Sequence, residues 1–295
     1  MVYDEGHLDL QWGADFRPEM KMGLSQFRLL AGRPNVMIMS ATLTDENCAE
    51  LKKLSGLRSN IVTIRLSPVL ACTKYISFER PAIQKGSGIG GYVDQATGKT
   101  VIKVEEGLLS SVLKCFLEDW CQDIENEIEP KMAMIFSENM TDLTSVQTYL
   151  FNRLGDKGTK KPWLLVNSKT GAATKRRMRR EIKMPVHVKL FLSSSVLMQG
   201  TDFHRADIVL LCRPYPFLHS LLQAAGRGGR KLQDGRRRRV AVIQLWNAED
   251  LGRPGLDGAT KKYCQAFSCL RAELKQFFND VGEEKIDGWC CSNCD

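Results

Sequence analysis

The 295 residues are 43% hydrophobic and 26% charged, a globular balance that excludes an intrinsically disordered chain. Lys and Arg number 42 against 34 Asp and Glu, and the net charge of +8 favours polyanionic partners, nucleic acid first among them. No run approaches the roughly 20 apolar residues of a membrane span, and no basic-then-apolar signal peptide is present, so an intracellular protein with no membrane partner is expected. In a reducing compartment the ten cysteines are thiols or metal ligands, not disulfides.

In chain order, Met1-Val2-Tyr3 reads as the stub of an apolar strand and Val36 to Met39 as a buried strand. Thr44-Asp45-Glu46 opens a helix that stops near Gly56, and Ile61 to Leu66 is a further strand candidate. Residues 67 to 104 read as a connecting region whose Thr100 to Val104 forms half of a hairpin. A helix is predicted from about Leu108 to Ile124, with Leu109, Val112, Leu113, Phe116 and Trp120 on one face. Strands follow at 132–136, 163–166, 188–192, 208–212 and 240–246. Helices alternate with them at 141–154, 172–183 and 217–225. Alternation of this kind predicts a parallel α/β domain after a partial one.

Asp4 and Glu5 follow the first strand stub, at the strand end where parallel sheets bind ligands. One carboxylate can hold Mg²⁺ while its neighbour orients an attacking water. An aromatic-rich stretch, Gln11-Trp12-Gly13-Ala14-Asp15-Phe16-Arg17-Pro18, comes next and offers rings on which bases can stack. Together, DEGHLDLQWGADFRP resembles motif II and the aromatic-rich loop of RecQ-family DNA helicases, usually DEAH and QWGHDFRP, with Gly6 for Ala and Ala14 for His. Ser40-Ala41-Thr42 resembles helicase motif III, although hydroxyls before Asp45 also read as a helix cap. Farther on, Gln223-Ala224-Ala225-Gly226-Arg227-Gly228-Gly229-Arg230 resembles motif VI, QxxGRxGR, of superfamily 2. Two arginines three apart can point at one polyphosphate as arginine fingers. Gln199-Gly200-Thr201-Asp202 resembles motif V, with Met198 in place of its first glycine. Met134 to Glu138 matches motif IV by position more than by residue.

Thr97-Gly98-Lys99-Thr100 ends like a phosphate-binding P-loop, but the required first glycine is Val93. A glycine-rich turn or hairpin is expected there instead. At the tail, Cys291-Ser292-Asn293-Cys294 is a C-x-x-C pair, whose short loop lets two thiolates take adjacent corners of a Zn²⁺ tetrahedron. Cys269 lies one helix earlier. RecQ proteins carry a zinc-binding module after the second lobe, so the resemblance implies Cys269, Cys291 and Cys294 as ligands. Cys290 or Cys264 can substitute for a fourth. The runs Lys175 to Arg180 and Arg236 to Arg239 bind DNA phosphates, serve nuclear import, or form a solvated helix face and turn.

The resemblance implies an α/β protein with two RecA-like parallel-sheet lobes, the first incomplete, then a small helical zinc-binding module. The expected divisions are 1–80, 81–250 and 251–295. It implies an ATP-dependent 3′-to-5′ DNA helicase of repair or recombination, located in the nucleus, using ATP, Mg²⁺ and Zn²⁺ on single-stranded and forked duplex DNA. Asp4, Glu5, Arg227 and Arg230 would be catalytic. His7, Gly200, Asp202 and Gln223 would join them around the nucleotide, and Trp12, Phe16, Arg17, Ser40 and Thr42 would couple it to DNA. Because the sequence contains no GxxxxGK[ST], an N-terminally truncated helicase that does not hydrolyse ATP by itself is expected. A non-catalytic DNA-binding remnant and a superfamily 2 RNA helicase are the alternatives.

Overall fold

Six parallel strands form the main sheet of the computed structural model, which describes residues 2–4, 6, 35–56, 61–80, 90–93, 100–103, 109–155, 161–183, 186–198, 203, 206–229, 238–280 and 289–294. Contacts divide the chain into two compact units. One holds Met1–Leu70 with Arg271–Lys285, the other Ala71–Leu270 with Ile286–Asp295.

In the first unit, β1 (Val2–Tyr3) pairs in parallel with β2 (Met37–Ile38). The helix α1 (Asp45–Ser55) begins where Thr44 Oγ1 accepts from the Asn47 N–H, and it ends at Gly56, whose φ of 60° is the left-handed stop glycine favours. The expected strand at Ile61–Leu66 is absent. That segment pairs with no described strand, and Val62, Ile64 and Leu66 are each more than 80% exposed. Apolar alternation marks a strand only where a neighbour completes the backbone ladder.

In the second unit, the strands are β3 (Thr73–Glu79), β6 (Ala133–Phe136), β7 (Trp163–Val166), β8 (Leu190–Ser193), β9 (Ile208–Leu211) and β10 (Val240–Trp246). Their order is β3-β10-β9-β6-β8-β7. Every residue of β6 and β8 is buried, as expected of central strands covered on both faces. The helices are α2 (Ser111–Glu125), α3 (Met140–Leu154), α4 (Ala172–Lys183), α5 (Leu218–Ala225), α6 (Ala248–Leu251) and α7 (Gly258–Cys264). Leu113, Leu117 and Trp120 of α2 meet Leu143, Val146 and Leu150 of α3 over Ile135, Leu192 and Trp163 in one core. Between β3 and α2, β4 (Gly90–Val93) and β5 (Thr100–Lys103) form an antiparallel hairpin. Thr97–Lys99 lie between its strands, outside the described residues. A hairpin, not the strand-loop-helix of a P-loop, is what surrounds them.

Two expectations change here. Residues 73–79 fall in the stretch read as a connection, yet they pair with β10 over seven residues. Polar Thr73, Lys74, Ser77 and Glu79 dilute the apolar signal of this edge strand. Its membership moves the division from 80/81 to 70/71. Residues 251–295, expected as one module, are shared. The helix α8 (Leu270–Phe277) lies almost wholly in the segment grouped with the first unit, whereas residues 286–295 belong to the second. Within the first unit, buried Arg271 donates from Nη1 to the Leu70 carbonyl at 2.9 Å.

Candidate functional site

The strand stub at the start of the chain delivers Asp4, exposed, immediately beyond β1. Two backbone bonds hold it there: the Met39 N–H donates to the Tyr3 carbonyl at 2.8 Å and the Gly6 N–H to the Met39 carbonyl at 2.9 Å. A Cβ at Gly6 would lie 2.6 Å from Ile38 Cγ2, so the departure from the DEAH pattern has a steric reason in this chain. Ser40 and Thr42 follow β2. The cap of α1 is Thr44, so neither of them performs that role. Ser40 Oγ accepts from the Thr42 N–H at 3.4 Å, and the buried Thr42 hydroxyl has no hydrogen-bond partner among the described residues. Glu5, His7, Trp12, Phe16, Arg17, Gly200, Asp202 and Arg230 lie outside the described residues.

In the second unit, α5 carries Gln223 and ends in the turn Gly226–Gly229. Arg227 donates from Nη2 to the carbonyl of Met198, which closes the short 3₁₀ turn Ser195–Leu197 after β8. The two stretches read as motifs V and VI are thus joined by one guanidinium. The glycines explain how the turn lies so close. A Cβ at Gly228 would meet Val240 Cγ2 at 2.5 Å and the Ala206 carbonyl at 2.8 Å, and Gly229 has a φ of 66° with Cys72 Sγ 2.8 Å from its imaginary Cβ. The close approach is made to the beginnings of β9 and β10.

The opposite ends of those strands hold an ion network, buried at Arg80 and Asp250 and half-buried at Arg213 and Asp142, that sequence reasoning missed. Arg213, after β9, grips Asp142 of α3 with two donors, Nε at 2.7 Å and Nη2 at 3.0 Å, and reaches Asp250 with Nη1 at 3.1 Å. Arg80, after β3, donates to Asp250 at 2.8 Å, and Ser137 Oγ donates to Asp142 at 2.6 Å. The hydrogen bond to Asp142 is the main reason the Arg213 guanidinium is held still more firmly in its charged form. Four strand ends are therefore locked in position by two carboxylates and two guanidiniums. No local sequence pattern joins Asp142 to Arg213, which is 71 residues away.

The cysteine cluster lies along the outer edge of β3. The Tyr75 N–H donates to the Cys290 carbonyl at 3.1 Å, and the Ser292 N–H donates to the Tyr75 carbonyl at 2.9 Å. Trp289 Nε1 donates to the Cys72 carbonyl at 2.9 Å, and Asn293 Nδ2 donates to the Ala266 and Ser268 carbonyls at 2.7 and 2.8 Å. These bonds gather Cys269, Cys290, Cys291 and Cys294, whose sulfurs all lie within 4.8 Å of one another. The Cys269–Cys290, Cys291–Cys294 and Cys269–Cys291 separations are 3.5, 3.5 and 3.9 Å. All four are free thiols. A Zn–S bond of about 2.3 Å places tetrahedral sulfurs roughly 3.8 Å apart, so the set fits Zn²⁺. Hydrogen bonds with Cys269 and Cys291 are the main influences that push the Cys294 thiol up. Cys290 is the fourth member of the cluster, placed where a fourth ligand would stand. Cys264 stands outside the group, and burial pushes its thiol up to about 12.

The fold and strand order define the class: an α/β protein with parallel sheets in RecA-like lobes, a fold it shares with solved helicases. The helicase Lhr of Mycobacterium smegmatis, bound to single-stranded DNA and AMP-PNP, superposes with a TM-score of 0.57 at 17% identity, over 90% of this chain and 30% of that one. Dbp5 of S. cerevisiae, bound to RNA and ADP BeF3, gives 0.55 at 14% identity over 98% and 60%. The helicase MrfA, bound to DNA and AMPPNP, gives 0.52 at 15% identity over 99% and 34%. No family model matches the chain. At the level of sequence, 132 residues are 25% identical to the Bacillus subtilis protein described as a probable ATP-dependent DNA helicase RecS, covering 45% of this chain and 24% of that one. The chain thus spans about a quarter of the length of this curated relative.

Proposed function

We propose that the chain is part of an ATP-dependent DNA helicase of RecQ type that moves 3′ to 5′ and unwinds DNA in repair or recombination, with single-stranded and forked duplex DNA as its partners. The observation that carries the reading is the arginine turn at the end of α5, fastened by Arg227 to the turn after β8 in a lobe of helicase fold. In this reading Asp4 and Glu5 hold Mg²⁺ and the attacking water, with His7 beside them. Arg227 and Arg230, with Gln223, Gly200 and Asp202, face the polyphosphate, where fixed guanidinium donors stabilise charge on the transferred group. Trp12, Phe16, Arg17, Ser40 and Thr42 relay DNA contact to that site. Zn²⁺ held by Cys269, Cys290, Cys291 and Cys294 supplies structural cross-linking only. It would tie the tail to the residue before α8 and keep it paired along β3. The proposed compartment is the nucleus.

By itself this polypeptide is proposed not to turn over ATP at a helicase-like rate, because no GxxxxGK[ST] is present to cradle the β- and γ-phosphates. Binding of labelled single-stranded DNA, followed by a DNA-stimulated ATPase assay on the 295-residue chain, tests both parts. Saturable DNA binding without stimulated turnover is expected. The RNA-bound Dbp5 neighbour favours a second reading as an RNA helicase. Tighter binding of single-stranded RNA than of DNA of the same sequence would select it.

A further inference from the structure

Helix α4 carries Lys175, Arg176, Arg177, Arg179, Arg180 and Lys183 within twelve residues. Arg176, Arg179, Arg180 and Lys183 are all exposed, and their spacing places them on one face of the helix. At 1.5 Å per residue the stripe is about 10 Å long. The opposite face, Met178 and Ile182, is buried in the second unit. The helix has one acid, Glu181, and it too is buried, accepting from the His187 and Val188 N–H groups at 3.1 and 3.2 Å. Among the described residues none of the four stripe cations is in an ion pair. Like charges three and four positions apart repel each other along a helix. Nothing described in the fold relieves that repulsion, so an anionic partner is the chemistry the stripe suits.

We infer that this stripe is a sequence-independent contact for the phosphate backbone of nucleic acid, made by residues to which no nucleotide or coupling role is assigned above. The inference rests on the nucleic-acid reading above and adds a surface to it. Its place in the fold also sets it apart from the cysteine cluster. The helix follows β7, the outermost strand on one side of the sheet, whereas the cysteine cluster lies along β3, the outermost strand on the other. Five steps of about 4.8 Å put the two edges roughly 24 Å apart. A membrane surface is the poorer match. An interfacial helix needs an apolar face free to insert, and here Met178 and Ile182 are already covered. An acidic peptide that adds a strand is a poorer match still, since a closed helix offers no backbone edge. Four guanidinium or ammonium groups over about 10 Å match two or three successive phosphates, to which arginine forks bind in pairs of bonds.

The test uses the whole chain with Arg176→Gln, Arg179→Gln, Arg180→Gln and Lys183→Gln together. Glutamine keeps the helix propensity and most of each stem. A second variant, Arg176→Lys, Arg179→Lys and Arg180→Lys, keeps the charge. Anisotropy titrations with a labelled duplex and a labelled single strand across a salt series read affinity and the slope of log K against log salt. Each lost phosphate contact lowers the slope by about 0.9 on duplex and 0.7 on single strands. The glutamine variant is expected to lose about tenfold or more in affinity, with a slope smaller by roughly two to three. The lysine variant is expected to stay within about threefold of the parent, since point charges also hold phosphate. Equal losses on both nucleic acids mark the shared backbone as ligand, and a loss confined to one names that form. An unchanged slope in the glutamine variant, while the parent binds DNA, would overturn the stripe and leave the helicase reading intact. So would charge-dependent binding to phosphatidylserine-containing vesicles that matches the binding to DNA. A parent chain that binds neither nucleic acid would overturn both.

Discussion

Gly228 and Gly226 stand two residues apart in the arginine turn, but their surroundings predict opposite sensitivities. A methyl group at Gly228 would collide with a backbone carbonyl that cannot move aside independently, at 2.8 Å, and with Val240 at 2.5 Å. Gly228→Ala is expected to cost about 2–3 kcal/mol, read as a lower urea midpoint at constant m. At Gly226 the nearest atoms would be 3.4 Å away and φ is −63°, so Gly226→Ala should lie within about 0.5 kcal/mol of the parent. Equal effects at the two positions would contradict the packing described. Glu181 gives a pH signature. Burial is the largest single influence and works upward, yet the His187 and Val188 N–H donors outweigh it and hold the carboxyl below its ordinary range. A depressed folded value means that the stabilisation is complete above the unfolded value near about 4.3 and is lost as pH falls through the folded one. The parent should therefore exceed Glu181→Gln by about 1–3 kcal/mol at pH 7 and converge with it on acidification. A difference that persists unchanged at pH 3 would count against this account.

At the scale of elements, the Arg80–Asp250–Arg213–Asp142 chain joins the ends of β3, β6, β9 and β10 to α3 and α6. Removing Asp142 leaves the half-buried Arg213 with Asp250 alone, whereas removing Asp142 and Arg213 together leaves no half-paired guanidinium. Asp142→Leu alone should cost about 1–3 kcal/mol, and adding Arg213→Met should restore part of it. A double-mutant cycle with additive losses would contradict the coupling. The pattern also shows why some features were readable in the sequence and others were not. Strand β7 at 163–166, α4 at 172–183 and β10 at 240–246 have the boundaries expected from the sequence, because apolar runs and 3.6-residue spacing are local. The arginine turn and the C-x-x-C pair are equally local. Edge strand β3 was hidden by its polar half, and Ile61–Leu66 looked like a strand because its alternation is real although no strand among the described residues pairs with it. Cys290 and Arg213 acquire their roles from residues 21 and 71 positions away, through folding that no spacing rule reports.

For the molecule as a whole, the cysteine cluster and the helicase reading make separate predictions. Metal analysis after dialysis should find about one Zn²⁺ per chain, since four sulfurs close a structural site. Cys290→Ser should lose that metal and Cys264→Ser should keep it, because among the described residues Cys290 stands with the other three and Cys264 does not. Retention by Cys290→Ser would return the fourth corner to another group. Removing the metal should loosen the tail along β3 and lower the melting temperature, as metal affinity is folding free energy. The helicase reading depends on both nucleic acid and nucleotide, and a single experiment addresses them together. The 295-residue chain is titrated with single-stranded DNA while ATP hydrolysis is followed in the same samples. The account predicts saturable binding that weakens with salt and no DNA-stimulated turnover. An absence of DNA binding, or stimulated hydrolysis at a helicase-like rate, would contradict it.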